Sequence, residues 1–192
     1  MRYKADQKAQ TRQRIAAAAG RSFKKNGYSG IGVDGLAGEA GVTSGAFYGH
    51  FASKEAAFNE AVSGGLGELQ SAISDLKQQY GENWWSEFAA FYTGQKRTCD
   101  LSESCALQSL TAEVGRSEPS TQALFEAELL KISKLASDNG KPSSAQNTNK
   151  TWASLSMLIG GVSLARAVDN EALSDEISNA IKNAVIALHR SE

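Results

Sequence analysis

Apolar residues recur at helical spacing through almost the whole chain. Ile15, Ala18, Ala19 and Phe23 lie three to four apart between Thr11 and Lys25, which predicts a helix with one buried stripe and a basic outer face. Asn26-Gly27 ends it, and Tyr28 tucks back. Residues 1–9 are polar and are expected to fray. Val33, Leu36, Ala37 and Ala40 mark a second helix over about 33–40. Gly41 stands where a left-handed residue closes a helix. Val42 packs inward. Thr43 or Ser44 can cap a third helix, about 44–50, which runs through Phe47, Tyr48 and Phe51. Ser53 caps a fourth that begins at Lys54. It carries Ala57, Phe58, Ala61 and Val62 and continues past Gly64-Gly65, with room for a kink, through Leu66, Leu69, Ile73 and Leu76.

Farther on, Trp84, Trp85, Phe88, Phe91 and Tyr92 predict an aromatic-rich helix. Residues 98–104 read as a polar loop. Cys105 to Val114 reads as a helix with Leu107, Leu110 and Val114 on one face. Pro119 breaks the chain, and Thr121 to Ala136 is amphipathic through Leu124, Phe125, Leu129 and Ile132. Residues 137–149 are polar and read as a loop or helix start. Two long helices close the chain, at about 150–168 and 174–189. Trp152, Leu155, Leu158, Ile159, Val162, Leu164, Ala165 and Val168 cover more than one face of the first. Leu173, Ile177, Ile181, Val185 and Leu188 make a stripe on the second, and Gly160, Gly161 and Ala165 permit close helix approach. A helix this apolar is core or interface.

Strand signals are weak: two prolines occur in 192 residues, and no alternating apolar run appears. The predicted fold class is all-α. Two helices joined by a short glycine-containing turn, about 32–51, follow the helix-turn-helix plan, whose second helix enters the DNA major groove. Charge changes the picture in the same direction. The net charge of −1 hides nine lysines and arginines against three acids in residues 1–54, net +6, and eleven against eighteen in the remainder, net −7. A basic head on an acidic body suits a polyanion-binding module joined to something else. A solvated basic helix would give the same asymmetry.

No apolar run approaches the roughly 20 residues of a bilayer span. The charged start is not followed by an apolar signal core, and Cys99 and Cys105 do not make a disulfide framework. A cytoplasmic location is the simple expectation. No cofactor or metal-ligand pattern appears. Only His50 and His189 are available as histidines, so a thiol-dependent enzyme is a weak alternative. A sequence-neutral nucleic-acid-binding protein is another.

The head resembles the DNA-binding domain of the TetR/AcrR family of transcriptional repressors. The matching residues are Thr11-Arg12, Ile15, Ala18, Phe23, Gly27-Tyr28, Leu36-Ala37, Ala40-Gly41-Val42, Gly45, Phe47-Tyr48, His50-Phe51 and Ser53-Lys54-Glu55. The resemblance implies a DNA-binding domain over 8–68 and a helical ligand-sensing and dimerisation domain over 69–192. It places Thr43, Tyr48, His50 and Lys54 against phosphates of double-stranded operator DNA, and turns Ser44, Gly45 and Ala46 toward bases. Phe47 and Phe51 remain core residues. Two positions depart from the family: Gly32 replaces a capping Ser or Thr, and Asp34 replaces an Arg that reaches a base. Asp34 either accepts from a cytosine amino group or favours the helix dipole.

The same resemblance implies a homodimer through helices 150–168 and 174–189, and release by a small-molecule effector whose identity is not implied. Trp84, Phe88 and Tyr92 are candidates to line an effector pocket, or are simply core. The run Cys105-Ala-Leu-Gln-Ser-Leu-Thr-Ala-Glu-Val resembles a subgroup with a cysteine at that place. Cys105 is thus a candidate sensor of thiol-modifying stress, with Cys99 as a disulfide partner, or a small buried side chain.

Overall fold

Two glycines in the left-handed region divide the first third of the chain. Gly27 (φ +73°) follows the first helix and Gly41 (φ +64°) follows the second. At Gly41 the turn is a complete Schellman closure: Gly41 N–H donates to the Gly38 carbonyl at 3.0 Å, and Val42 N–H to the Ala37 carbonyl at 2.9 Å. The computed structural model describes residues 2–138 and 144–190. Among them are ten α-helices and no strand: α1 (Arg2–Asn26), α2 (Val33–Glu39), α3 (Ser44–Tyr48), α4 (Lys54–Tyr80), α5 (Trp84–Thr93), α6 (Gln95–Thr98), α7 (Ala106–Val114), α8 (Pro119–Ser137), α9 (Ala145–Ala167) and α10 (Glu171–His189). The all-α expectation holds. No helix among the described residues is long and apolar enough to cross a membrane.

Two expectations need correcting. The chain is helical from Arg2, not frayed up to residue 9. The added residues are mostly Ala, Gln, Lys and Arg, good helix formers that extend an already nucleated helix. Pro119 starts a helix where a break was expected, because proline is well suited to the first turn, where its missing N–H costs nothing. The expected loop at 137–149 falls partly on residues 139–143, outside the described residues. Ser144 caps α9 by accepting from Asn147 N–H at 3.1 Å.

The chain divides into two compact units. The first takes in residues up to Gly65 together with Leu101–Phe125, and the second Leu66–Asp100 together with the chain from Glu126 onward. In the first, Ile15, Phe23, Leu36, Phe47, Phe51 and Phe58 are at most 1% exposed and make the core. Tyr28 closes over it, with its ring 5.9 Å from Phe23 and 5.0 Å from Phe58. Segment 101–125 packs on this head. Lys24 Nζ donates to the Ser104 carbonyl at 3.2 Å, and the Thr121 hydroxyl to Asn59 Oδ1 at 2.7 Å. Gly65 explains the close approach of α7: a Cβ there would overlap the Cβ of Ala106.

In the second unit α5, α9 and α10 pack together, burying Trp84, Trp85, Phe88, Leu155, Leu158, Val162 and Val185. Gly161 faces Ile181, whose side chain occupies the space a Cβ would need, whereas Gly160 faces open space. Arg166 ends α6 by donating to the carbonyls of Lys96, Arg97 and Cys99, each at 2.7 Å. Arg97 in turn donates to Ser174 Oγ and Asp175 Oδ1, both at 2.6 Å.

Candidate nucleic-acid interface

α3 is only five residues long, and Phe47 is its one buried side chain. A helix this short has no stability of its own. It is held by that ring, by its cap and by the turn before it. Thr43 is the cap: its Oγ1 accepts from Ala46 N–H at 3.2 Å. Between the two capping candidates the structure chooses Thr43 and gives Ser44 another task. The Ser44 hydroxyl donates to Asp34 Oδ1. Asp34 lies in the first turn of α2, and Gly32 caps that helix with no side-chain hydrogen bond. An acid in the first turn complements the helix dipole where the side-chain cap is missing.

The surface of α3 is short and uncharged. Thr43, Gly45, Ala46 and Tyr48 are exposed, while Ser44 and His50 are half-buried. Tyr48 is 56% exposed, a high value for an aromatic ring. Lys54 opens α4, where Ser53 Oγ accepts from Ala56 N–H at 3.0 Å. The Lys54 ammonium stands 4.4 Å from the centroid of the Tyr28 ring, a cation–π contact that leaves its outer N–H groups for solvent or an anion. Burial, with the Glu55 charge nearby, raises the pKa of Tyr28 above its ordinary value. Phe47 and Phe51 are 0% and 1% exposed and belong to the core, as expected.

The body candidates fall differently. Trp84, Phe88 and Tyr92 lie together along α5, each at most 2% exposed. Cys105 is also buried and precedes α7 as its N-cap residue. Cys99 is half-buried, and its thiol donates to the Lys96 carbonyl at 3.4 Å. The two cysteines belong to different units.

Sequence reasoning gave His189 no role. Its ring stacks on Trp85 at 4.3 Å and 13°, and Nε2 shares a hydrogen bond with Ser154 Oγ at 2.8 Å. Its only sequence signal was a histidine on the last turn of an amphipathic helix. Desolvation by burial, with the Lys150 charge adding to it, lowers the His189 pKa to about 4. The unfolded chain therefore binds this proton first as pH falls. The stability held by neutral His189 is complete above about 6.5 and is lost as pH falls toward about 4. Urea midpoints at pH 7 and pH 5 should show the loss, and His189→Gln should reduce the difference between them.

A basic helical head carrying a helix-turn-helix, followed by a helical body, is the build of a DNA-binding transcriptional regulator. Residues 15–61 match the model of the bacterial regulatory proteins of the tetR family. The fold of the whole chain is that of solved TetR-family structures. A regulator from Cytophaga hutchinsonii is 21% identical, with 94% of this chain and 95% of that one covered and a TM-score of 0.75. One from Agrobacterium tumefaciens is 15% identical, covering 92% and 98%, with a TM-score of 0.76. The reduced form of E. coli NemR is 20% identical, covering 91% and 96%, with a TM-score of 0.73. No curated protein sequence matches the chain.

Proposed function

We propose that the chain is a homodimeric repressor that binds operator DNA through α3 and leaves it when a small molecule binds in the second unit. The outer surface of α3 carries this reading. It offers hydroxyls and backbone at a solvent-facing turn, and it holds no lysine or arginine of its own. Thr43, Tyr48, His50 and Lys54 meet phosphates, which supply affinity. Ser44, Gly45 and Ala46 meet base edges, which supply sequence preference. The Ala46 methyl suits a thymine methyl.

Tyr48→Ala and Lys54→Ala are expected to weaken binding to every duplex. Lys54→Ala should also lower the slope of log affinity against log salt by about one. The probes are the promoter duplex upstream of the protein's own gene and a random duplex. Unchanged affinity and slope in both variants would remove these residues from the interface. Equal affinity of the wild type for both duplexes would favour sequence-neutral binding.

The dimer rests on the outward faces of α9 and α10. Leu164 is 62% exposed and Leu173 is 43% exposed. Leu173, Ile177, Ala180, Ala184 and Leu188 recur three to four apart along α10, and all are exposed or half-exposed. Such a stripe of small and branched residues fits a second copy of the same pair of helices. A two-fold dimer then predicts an operator with two related half-sites, about 34–36 Å apart or a multiple of it. Leu173→Glu with Ala184→Glu should convert the particle seen by light scattering from two chains to one, and operator affinity should fall with it. A double variant that stays dimeric places the interface elsewhere.

The effector branch is favoured over the thiol branch, because Cys105 is shielded by burial. The second unit also buries a hydroxyl, Thr151 Oγ1, with no hydrogen-bond partner among the described residues, as a polar ligand group would require. Thr151→Val should weaken the response to an inducing ligand without weakening operator binding. Equal induction of the variant and the wild type would take Thr151 out of the effector site.

A further inference from the structure

Arg12 is one of the nine cations of the basic head, yet its guanidinium is engaged on three sides within the first unit. Nη1 donates to the carbonyl oxygen of His50. Nη2 donates to Glu60 Oε2 on α4. The guanidinium carbon lies 4.2 Å from the centroid of the Phe51 ring. A planar fork suits this arrangement, since it can serve two acceptors in its plane and an aromatic ring on its face, and lysine cannot do the same. The residues it grips are those that leave α3. His50 N–H and Phe51 N–H both donate to the Phe47 carbonyl at 2.9 Å, so the backbone at 50 and 51 folds back on α3 while Arg12 ties it to α1 and α4.

The His50 ring shows what this achieves. Its Nδ1 is buried without a hydrogen-bond partner among the described residues. A neutral imidazole has one donor nitrogen and one acceptor nitrogen. An N–H left buried and unpartnered costs more than a bare lone pair, so the proton belongs on Nε2. The backbone held by Arg12 and the inward Nδ1 together leave Nε2–H as the group the ring can offer to an anion.

We infer that Arg12 is a positioning residue of the DNA interface: it ligates no phosphate, and by holding the His50 carbonyl it aims His50 Nε2–H at one, with Glu60 as its buttress. The inference rests on the proposed contact between His50 and phosphate.

The test uses the full chain and the promoter duplex upstream of its own gene, with anisotropy titrations at several salt concentrations. Arg12→Lys and Arg12→Gln should each weaken binding about tenfold, the order expected for a lost charge-assisted hydrogen bond, with the salt slope unchanged. Glu60→Gln should weaken it less. Because the amide of glutamine falls near Nε2 and that of asparagine near Nδ1, His50→Gln should keep most of the affinity and His50→Asn should lose it. In a His50→Ala background, Arg12→Gln should add no further loss, whereas a merely structural role would add its full effect.

Three results would overturn the inference. One is a slope lowered by about one unit in Arg12→Gln with Arg12→Lys close to wild type, which would make Arg12 a phosphate ligand. Another is tighter binding by Glu60→Gln, and the third is additivity in the double variant. Should Arg12→Gln fail to fold, Arg12→Lys and Glu60→Gln decide the question by the same criteria. If His50→Ala binds as the wild type does, the His50 contact and this inference fall together, while the Tyr48 and Lys54 titrations still judge α3 separately.

Discussion

Replacing Gly45 by alanine is expected to weaken operator binding by about ten- to a hundredfold, the cost of about one spoiled base contact, while the head stays as stable as before or becomes more so. The fold gives no reason for a glycine at this position. Its φ is not in the left-handed region, and an added Cβ would meet only Thr43 Oγ1, at an ordinary 3.9 Å. Inside a helix, glycine costs about 0.5–1 kcal/mol relative to alanine. The isolated protein should therefore tolerate or favour the methyl. The new Cβ would instead stand on the exposed surface of α3 that we assign to base edges, where a duplex must come closest. A thermal melt and an anisotropy titration on the same sample separate the two effects. Wild-type affinity in the variant would show that no close approach occurs at residue 45.

Phe47→Ala should act the opposite way, through the fold first. Removing a fully buried phenylalanine costs about 3–5 kcal/mol, and Phe47 is 0% exposed. Its ring lies 5.7 Å from Tyr48, edge-on at 89°, and 5.5 Å from Phe51. With no other buried side chain, α3 loses its only apolar anchor. We expect the amides of residues 44–51 to exchange at the rate of an open segment, and specific DNA binding to vanish even where the second unit keeps its helicity. Tyr48→Ala is the control, since its exposed ring should cost little stability. Protected amides in α3 of the Phe47→Ala protein would mean that the Thr43 cap and the preceding turn are sufficient without the ring.

Much of the head could be read from residue types, because its punctuation is local chemistry. A left-handed glycine at Gly41 and a serine cap at Ser53 need only their near neighbours to act. The periodicity of α1, α2 and α4 named the core residues for the same reason. The body was less legible. Segment 101–125 reads as part of the C-terminal domain in sequence order, yet it packs on the head, and nothing in its own pattern says which core its apolar face will meet. The aromatic run of α5 announced a cluster, but its pairing with His189 joins residues about a hundred positions apart.

By itself the sequence determined most of the stretches that are helical, which face of each is apolar, and that a basic helix-turn-helix precedes an acidic helical body, since these follow from side-chain size, backbone freedom and spacing along a few turns. Only the tertiary structure decided that Gly161 and not Gly160 receives Ile181, that Arg12 and Arg166 spend their charges on backbone carbonyls, and that His189 is held neutral against Trp85. Those outcomes depend on which distant atoms share a small volume with little water, and spacing along the chain carries no record of that.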